Sequence, residues 1–265
     1  MRNRASTLLE GEGRYALEAA WTHAPIITIA TPRDALVCRP VDRWQSIEED
    51  PALASFDQIP LTESDGQHIV AIYIRDQGRV PLTSEMFMSS GAPLLAFVET
   101  ADKQRFRLLV EDGDVVGLVT LSDLQRLPVY SLLFGQLVAV EVLLTEWIRR
   151  SCGHDQDRWM RCLRPKHRES IERSWRDYEQ RNIAIDRLSC ASFGQKITAS
   201  AGLGLFRNRP EKESELRGLR DLRNRVCHAI RLTPSAEHAI EIPSIARRTR
   251  VLAEWLISEL EGASQ

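Results

Sequence analysis

The strongest constraint in this chain is an internal repeat. Ile59–Asp76, "IPLTESDGQHIVAIYIRD", matches Phe106–Asp123, "FRLLVEDGDVVGLVTLSD", at a constant offset of 47 residues. Asp65-Gly66 falls on Asp112-Gly113, and Asp76 falls on Asp123. Each copy reads as a strand, an Asp-Gly turn, a second strand and a helix that begins near the final Asp. Asp-Gly between two apolar runs is a strong hairpin signal, because both turn positions want positive φ. A repeat of this length marks a supersecondary unit that buries its face against its twin. "PLLAFVETADK", 93–103, suits a helix ahead of the second hairpin.

After Pro128 the strand signal stops. "VAVEVLLTEWIRR" is one expected helix, with Leu137, Val140, Leu144 and Trp147 on a face. "PKHRESIERSWRDYEQRNIAIDRL", 165–188, is a second, with Pro165 fitting its first turn. The stretch 200–214 reads as a loop, 215–230 as a third helix, 232–237 as a break, and 242–260 as a fourth helix. Four such helices make a bundle. The expected fold class is therefore α+β: small α/β units over 1–128, then an all-α helical bundle over 129–265.

The apolar stretch 131–148 contains Glu141 and Glu146. Each acid would cost roughly 2.5 kcal/mol or more in mid-bilayer, so the stretch reads as a core helix rather than a membrane span. Met1–Tyr15 lacks the apolar core of a secretory signal. Five unevenly spaced cysteines fit a reducing compartment, and a cytoplasmic location is expected. Cys152, His154, Cys162 and His167 lie close in sequence but lack a Cys-x-x-Cys pair, and a helix starting at Pro165 would interrupt a zinc site. No metal is expected.

Charge is unevenly shared. Through Ile148 there are 12 Arg and Lys against 21 Asp and Glu; after it there are 23 against 16. A basic back half behind an acidic front half suits a polyanionic partner, or is uneven surface charge without one. Only Lys103, Lys166, Lys196 and Lys212 are lysines, so the basic residues are almost all Arg. Arg favours planar, two-point phosphate contacts.

"GLVTLSDL", with Gly117, Thr120 and Asp123, resembles the cystathionine β-synthase (CBS) domain, whose tandem pairs bind adenosine nucleotides. The resemblance implies that Thr120 hydrogen-bonds phosphate and Asp123 accepts from ribose hydroxyls. An adenine nucleotide (ATP, ADP or AMP) is the implied regulatory ligand. The first copy departs from the pattern: Val70 and Tyr73 replace the Gly and Thr, and only Asp76 remains as a candidate nucleotide-binding residue. One cleft is therefore expected to be degraded or blocked by Tyr73. A second reading of Thr120 and Asp123 is that they cap the following helix.

On a helical wheel, Leu219, Leu222, Val226 and Ile230 form one stripe of the third helix. Arg217, Arg220, Asn224, His228 and Arg231 lie opposite, and Arg223 flanks the apolar stripe within reach of Glu141 or Glu146. "RNRVCH", Arg223–His228, resembles the Arg-x4-His motif of HEPN domains, with the common Asn in second place. That resemblance covers roughly 129–260 and rests on the motif and the helix order. It implies a metal-independent ribonuclease acting as a homodimer. Arg223 would hold the scissile phosphate, Asn224 would orient phosphate or imidazole, and His228 would move the proton. The other reading makes Arg223 a structural ion-pair partner and His228 a surface histidine.

The expected protein is thus a nucleotide-regulated RNA-cutting toxin or phage-defence effector, with a possible cognate antitoxin. The alternative is a non-enzymatic, nucleotide-sensing module that binds RNA or protein. No helix-turn-helix signal supports a transcriptional regulator.

Overall fold

The structure is a computed structural model, and it describes residues 24–155, 157–227, 239 and 241–262. These residues fall into two compact units, one of residues 24–129 with 239 and 241–243, the other of residues 130–155 and 157–227 with 244–262. The front unit is built on two four-stranded sheets and the back unit on helices, an α+β chain.

Eight strands form the sheets: β1 (Thr31–Pro32), β2 (Arg39–Pro40), β3 (Gln58–Thr62), β4 (Ile69–Ile74), β5 (Gly78–Pro81), β6 (Phe87–Ser89), β7 (Phe106–Glu111) and β8 (Asp114–Thr120). One sheet has the order β2-β3-β4-β5 and the other β1-β8-β7-β6. The repeat is visible in the pairing. In each sheet a short strand runs parallel to the first strand of a hairpin: β2 to β3, and β6 to β7. Parallel neighbours need a crossover connection. Helix α1 (Leu94–Val98) lies between β6 and β7, whereas 3-10 turns at Val41–Ile47 and Pro51–Leu53 lie between β2 and β3. Each hairpin, β3–β4 and β7–β8, carries one register irregularity, at Leu61/Thr62 and at Leu109/Val110.

The copies bury one another. Ala71 and Tyr73 of β4 join Ile47, Leu53, Ile59 and Leu61 in one apolar cluster. Ile72, on the opposite face, joins Phe106, Leu108 and Leu118 of the second copy. Strand alternation puts successive side chains on opposite faces, so β4 serves two cores.

Three expectations for this unit need correction. At the second hairpin Asp112 and Gly113 both take positive φ, 50° and 92°, as a two-residue turn requires. At the first, only Gly66 does, with φ 76°, inside a longer loop from Glu63 to His68. The second correction concerns Asp76. No helix begins there: the chain turns back into β5, and Asp76 is a left-handed turn residue with φ 70°. Gly78 allows that return, because a Cβ there would sit 3.1 Å from the Trp44 ring. Third, the helix after Asp123 starts as a 3-10 turn, Leu121–Gln125, and only then gives way to a long helix.

That helix, α2 (Leu127–Cys152), is long and apolar enough by composition to cross a membrane. Leu132, Leu133, Leu137, Ala139, Val140, Leu143, Leu144 and Ile148 are nevertheless buried in protein. α3 (Pro165–Gln180) begins with Pro165 as expected but stops short of 188. Asn182 takes φ 54°, and the reversed chain accepts the Trp175 indole N–H at Ile185 O, 3.0 Å away.

α4 (Phe193–Leu203) has no counterpart among the expected helices, and its last turn falls in the stretch expected as loop. Its start is a reciprocal cap: Ser192 N–H donates to Gln195 Oε1 at 2.8 Å, and Gln195 N–H to Ser192 Oγ at 3.4 Å. Its end is a glycine cap: Gly204 takes φ 97°, and Leu205 N–H reaches back to Ser200 O at 3.0 Å. α5 (Pro210–Cys227) then starts earlier than the expected 215, with Leu216, Leu219, Leu222 and Val226 buried. α6 (Glu241–Gly262) ends the described chain. Ile230, His228 and Arg231 lie outside the described residues.

α4 packs closely on the 3-10 turn Arg158–Cys162. A Cβ at Gly202 would lie 2.5 Å from Cys162 Cβ. Gly202→Ala should therefore lower stability by about 1–3 kcal/mol, although Ala favours helix over Gly. Because the collision is with Cβ, Cys162→Ala should not relieve it and Cys162→Gly should, as read by thermal melts of the two double variants.

Candidate functional site

Two groups of residues carry the expected chemistry, one in each unit. The first lies at the end of β8. Thr120 N–H donates to Asp123 Oδ2 at 2.8 Å, and Thr120 Oγ1–H points to the same oxygen at 3.2 Å. The Thr120 hydroxyl also lies 2.7 Å from Ser122 Oγ. Arg126 Nε pairs with the other oxygen, Asp123 Oδ1, at 2.8 Å. Thr120 and Asp123 thus form a capping box at the 3-10 turn. Asp123 is only 6% exposed. Burial pushes its carboxyl above the usual range, against the pull of Thr120 and Arg126.

Gly117 has a packing reason. It pairs with Pro32, and a Cβ there would approach Thr31 O to 2.9 Å. A side chain would push β1 off the sheet.

The first copy has no counterpart of this arrangement. Tyr73, at the Thr120 position, is fully buried and donates its hydroxyl to Glu48 Oε1 at 3.1 Å. Burial and the neighbouring Glu48 both raise its phenol pKa. Asp76 is exposed in the β4–β5 turn. Tyr73 faces the core formed around Ile47 and Leu53, so it fills the first copy from within.

The second group lies in the helical unit. Arg223 and Asn224 stand on α5, with Asn224 exposed. His228, the third residue of the set, lies outside the described residues. Arg223 meets Glu141 of α2, one of its two expected partners: Nη2 is 3.3 Å from Oε2. Glu141 also receives Lys196 of α4, whose Nζ is 2.9 Å from Oε1. Side-chain exposures are 15% for Glu141, 8% for Lys196 and 33% for Arg223. Two cations from two helices therefore converge on one largely buried carboxylate. Arg223 Nε is itself buried and, among the described residues, without a hydrogen-bond partner. Lys196 escaped the sequence reading because its helix did. The Ser192-x-x-Gln195 cap was the signal that would have found it.

Neighbouring charges are mostly spoken for. Arg217 pairs with Glu213 at 2.6 Å and Arg220 with Asp221 at 3.1 Å. Glu146 pairs with Arg150 at 3.2 Å, and Arg150 also donates to Leu260 O at 2.9 Å. Arg220 lies along Gly194, where a Cβ would come within 3.2 Å of its Cδ.

The Cys/His set does not assemble. Cys152 packs in an apolar cluster with Ile148, Trp159 and Ile171, and burial pushes its thiol up, away from the thiolate a metal needs. Among the described residues no three His, Cys, Asp or Glu side chains gather as a metal site.

No family model matches the chain, and no curated protein matches it. Among solved structures it is similar to the CBS domain of a bacterial CNNM/CorC family Mg2+ transporter in complex with ATP. That match has 18% identity and a TM-score of 0.32, and covers 46% of this chain and 96% of that one. A second structure of such a domain, in complex with the inhibitor IGN95a, matches with 16% identity and a TM-score of 0.31, over 47% of this chain and 84% of that one.

The Asp123 geometry generates a stability prediction. Asp123→Ala strands the Thr120 N–H and costs about 1–3 kcal/mol. Asp123→Asn keeps an acceptor for that N–H and removes the charge that burial disfavours. Its melting temperature should lie close to wild type and well above that of the Ala variant.

Proposed function

We propose that the chain is a nucleotide-responsive ribonuclease: a CBS-like pair over 1–128 that senses an adenine nucleotide, and a HEPN-like bundle over 129–265 that cuts RNA. The observation that carries this reading is the state of Arg223. It sits on the edge of the polar stripe of α5 beside exposed Asn224, is held in place by Glu141, and keeps a third of its side chain open to solvent. A fixed, partly exposed Arg side chain is what phosphate binding requires.

The chemistry follows from the substrate. RNA carries its own nucleophile, the 2′-OH. Its oxygen attacks the adjacent phosphorus, the bond from phosphorus to the 5′-oxygen breaks, and a 2′,3′-cyclic phosphate and a 5′-OH result. One proton must leave the 2′-OH and one must reach the 5′-oxygen. An imidazole, whose unperturbed pKa is about 6.5, suits either transfer near neutral pH, and His228 would supply it. Arg223 offsets the charge that builds on the phosphoryl oxygens. Those roles require no metal. Two proton transfers from one imidazole per chain favour a homodimer in which two α5 helices approach across a twofold axis.

For the front unit, the paired sheets with matching strand order support the CBS reading, and the Thr120–Asp123 box marks the copy that would take ATP, ADP or AMP. The other copy, filled by Tyr73, would not. A cytoplasmic toxin or phage-defence role, with or without an antitoxin, rests on analogy with the resembled families.

The Glu141 ion pair favours one second reading. A guanidinium engaged by a buried carboxylate is also what a structural Arg looks like, and the bundle would then bind RNA or protein without cutting it.

Cleavage of varied single-stranded RNAs in EDTA decides between them. The ribonuclease reading expects 2′,3′-cyclic phosphate ends and a loss of about 10²–10⁴-fold in His228→Ala. It also expects a comparable loss in Arg223→Ala, and a dimer at micromolar concentration by analytical ultracentrifugation. Intact RNA with and without ATP, ADP and AMP would leave the binding reading. For the sensor, calorimetry should find about one adenine nucleotide per chain and weaker binding in Asp123→Asn. Wild-type affinity in that variant would remove Asp123 from the site.

A further inference from the structure

Resting on the reading of Arg223 as the phosphate-binding cation, we infer that Lys196 is a positioning residue: by sharing Glu141 with Arg223, it keeps that guanidinium available to the RNA backbone. A carboxylate and a guanidinium left to themselves pair through two parallel hydrogen bonds. That arrangement would occupy one whole edge of Arg223 and cancel its charge. Here the two oxygens of Glu141 are divided. Lys196 Nζ holds Oε1 at 2.9 Å, and Arg223 Nη2 reaches only Oε2, at the longer distance of 3.3 Å. Arg223 Nε, although buried, is not claimed by Glu141 and has no hydrogen-bond partner among the described residues.

The charge count points the same way. Among the described residues the cluster holds two cations and one anion, so one positive charge is surplus. Lys196 is 8% exposed and too deep to meet an RNA strand, while Arg223 is 33% exposed. The surplus is therefore displayed at Arg223. Residue type fits the task as well. An ammonium is a compact point charge that holds one oxygen, whereas an arginine fork would claim both. In a chain whose basic residues are almost all Arg, a lysine stands here.

The test reads binding apart from cleavage. The probe is a fluorescent single-stranded 2′-O-methyl RNA, whose blocked hydroxyl prevents cutting, titrated with the full chain over a salt series. Lys196→Met lets Glu141 take Arg223 by both oxygens. It should bind on the order of tenfold more weakly, with charge lost a short distance from the phosphate. The slope of log affinity against log salt should become shallower by about one. Glu141→Gln should bind at least as tightly as wild type. The double variant Lys196→Met/Glu141→Gln frees Arg223 again and should recover wild-type affinity and slope. A lysine that merely supports the fold would not be rescued by a second change in the same buried cluster.

A folded Lys196→Met with wild-type affinity and slope overturns the inference, and so does a double variant as weak as the single one. Should Lys196→Met fail to fold, Glu141→Gln decides alone: tighter binding supports charge sharing and weaker binding refutes it. Parallel cleavage of unmodified RNA separates the two readings. Wild type that cuts nothing, with the binding pattern intact, removes the ribonuclease and leaves the charge sharing. Wild type that cuts, with Lys196→Met unchanged in kcat, KM and affinity, removes the charge sharing alone.

Discussion

A carboxylate placed on an apolar core helix has to be answered by positive charge, and the helical unit is organised around that answer. Glu141 faces inward from α2 among Leu137, Val140 and Leu144. Taking it out of water costs several kcal/mol, which only close, well-directed partners offset. The partners come from two other helices, Lys196 from α4 and Arg223 from α5. One buried charge thus sets the register of three helices at once, because a slip of one residue in any of them would leave an ion unpaired. Apolar stripes alone tolerate such slips better, since Leu and Val surfaces are interchangeable over a residue or two. A buried ionic contact specifies arrangement more than it adds stability.

The parts of this fold that were legible in the sequence are those with local causes. Asp112-Gly113 turned as its chemistry demands, and Pro165 opened its helix. The apolar stripe of α5 is buried as far as it is described. Arg223 found Glu141 because wheel geometry placed it on the flank of that stripe. The failures also have causes. α4 is short, its apolar residues are interrupted by Gly194, Gly202 and Gly204, and the glycines read as loop. Gly204 was in fact its terminator and Gly202 its contact with Cys162, while the Ser192–Gln195 cap went unread. Asp76 misled for a different reason. Sequence alignment of two copies assumes that both continue alike, but Gly78 lets the first return as β5 beneath Trp44.

The same comparison explains why the two copies cannot be equivalent in chemistry. Substituting Tyr for Thr at position 73 exchanges a small hydroxyl at a strand end for a large ring that belongs to the core with Ile59 and Leu61. Its hydroxyl is satisfied by Glu48, so the ring is fixed at both ends. Space that a ligand would enter from outside is filled from within. The second copy, which keeps Thr120, retains the polar strand end.

That polar strand end is already closed upon itself. Asp123 offers one oxygen to the Thr120 backbone and the other to Arg126. A ribose hydroxyl that approached Asp123 would compete with Arg126 for Oδ1 before it disturbed the backbone hydrogen bond to Oδ2. The Arg126 contact is the weaker of the two to displace, since Arg126 is nearly half exposed and water can replace its partner. Arg126 is also the residue immediately before Leu127, where α2 begins. Exchanging Arg126 for another partner would therefore act at the residue next to the first turn of α2. The strength of any such exchange is bounded by the difference between what Asp123 gains from a new partner and what it gives up from Arg126.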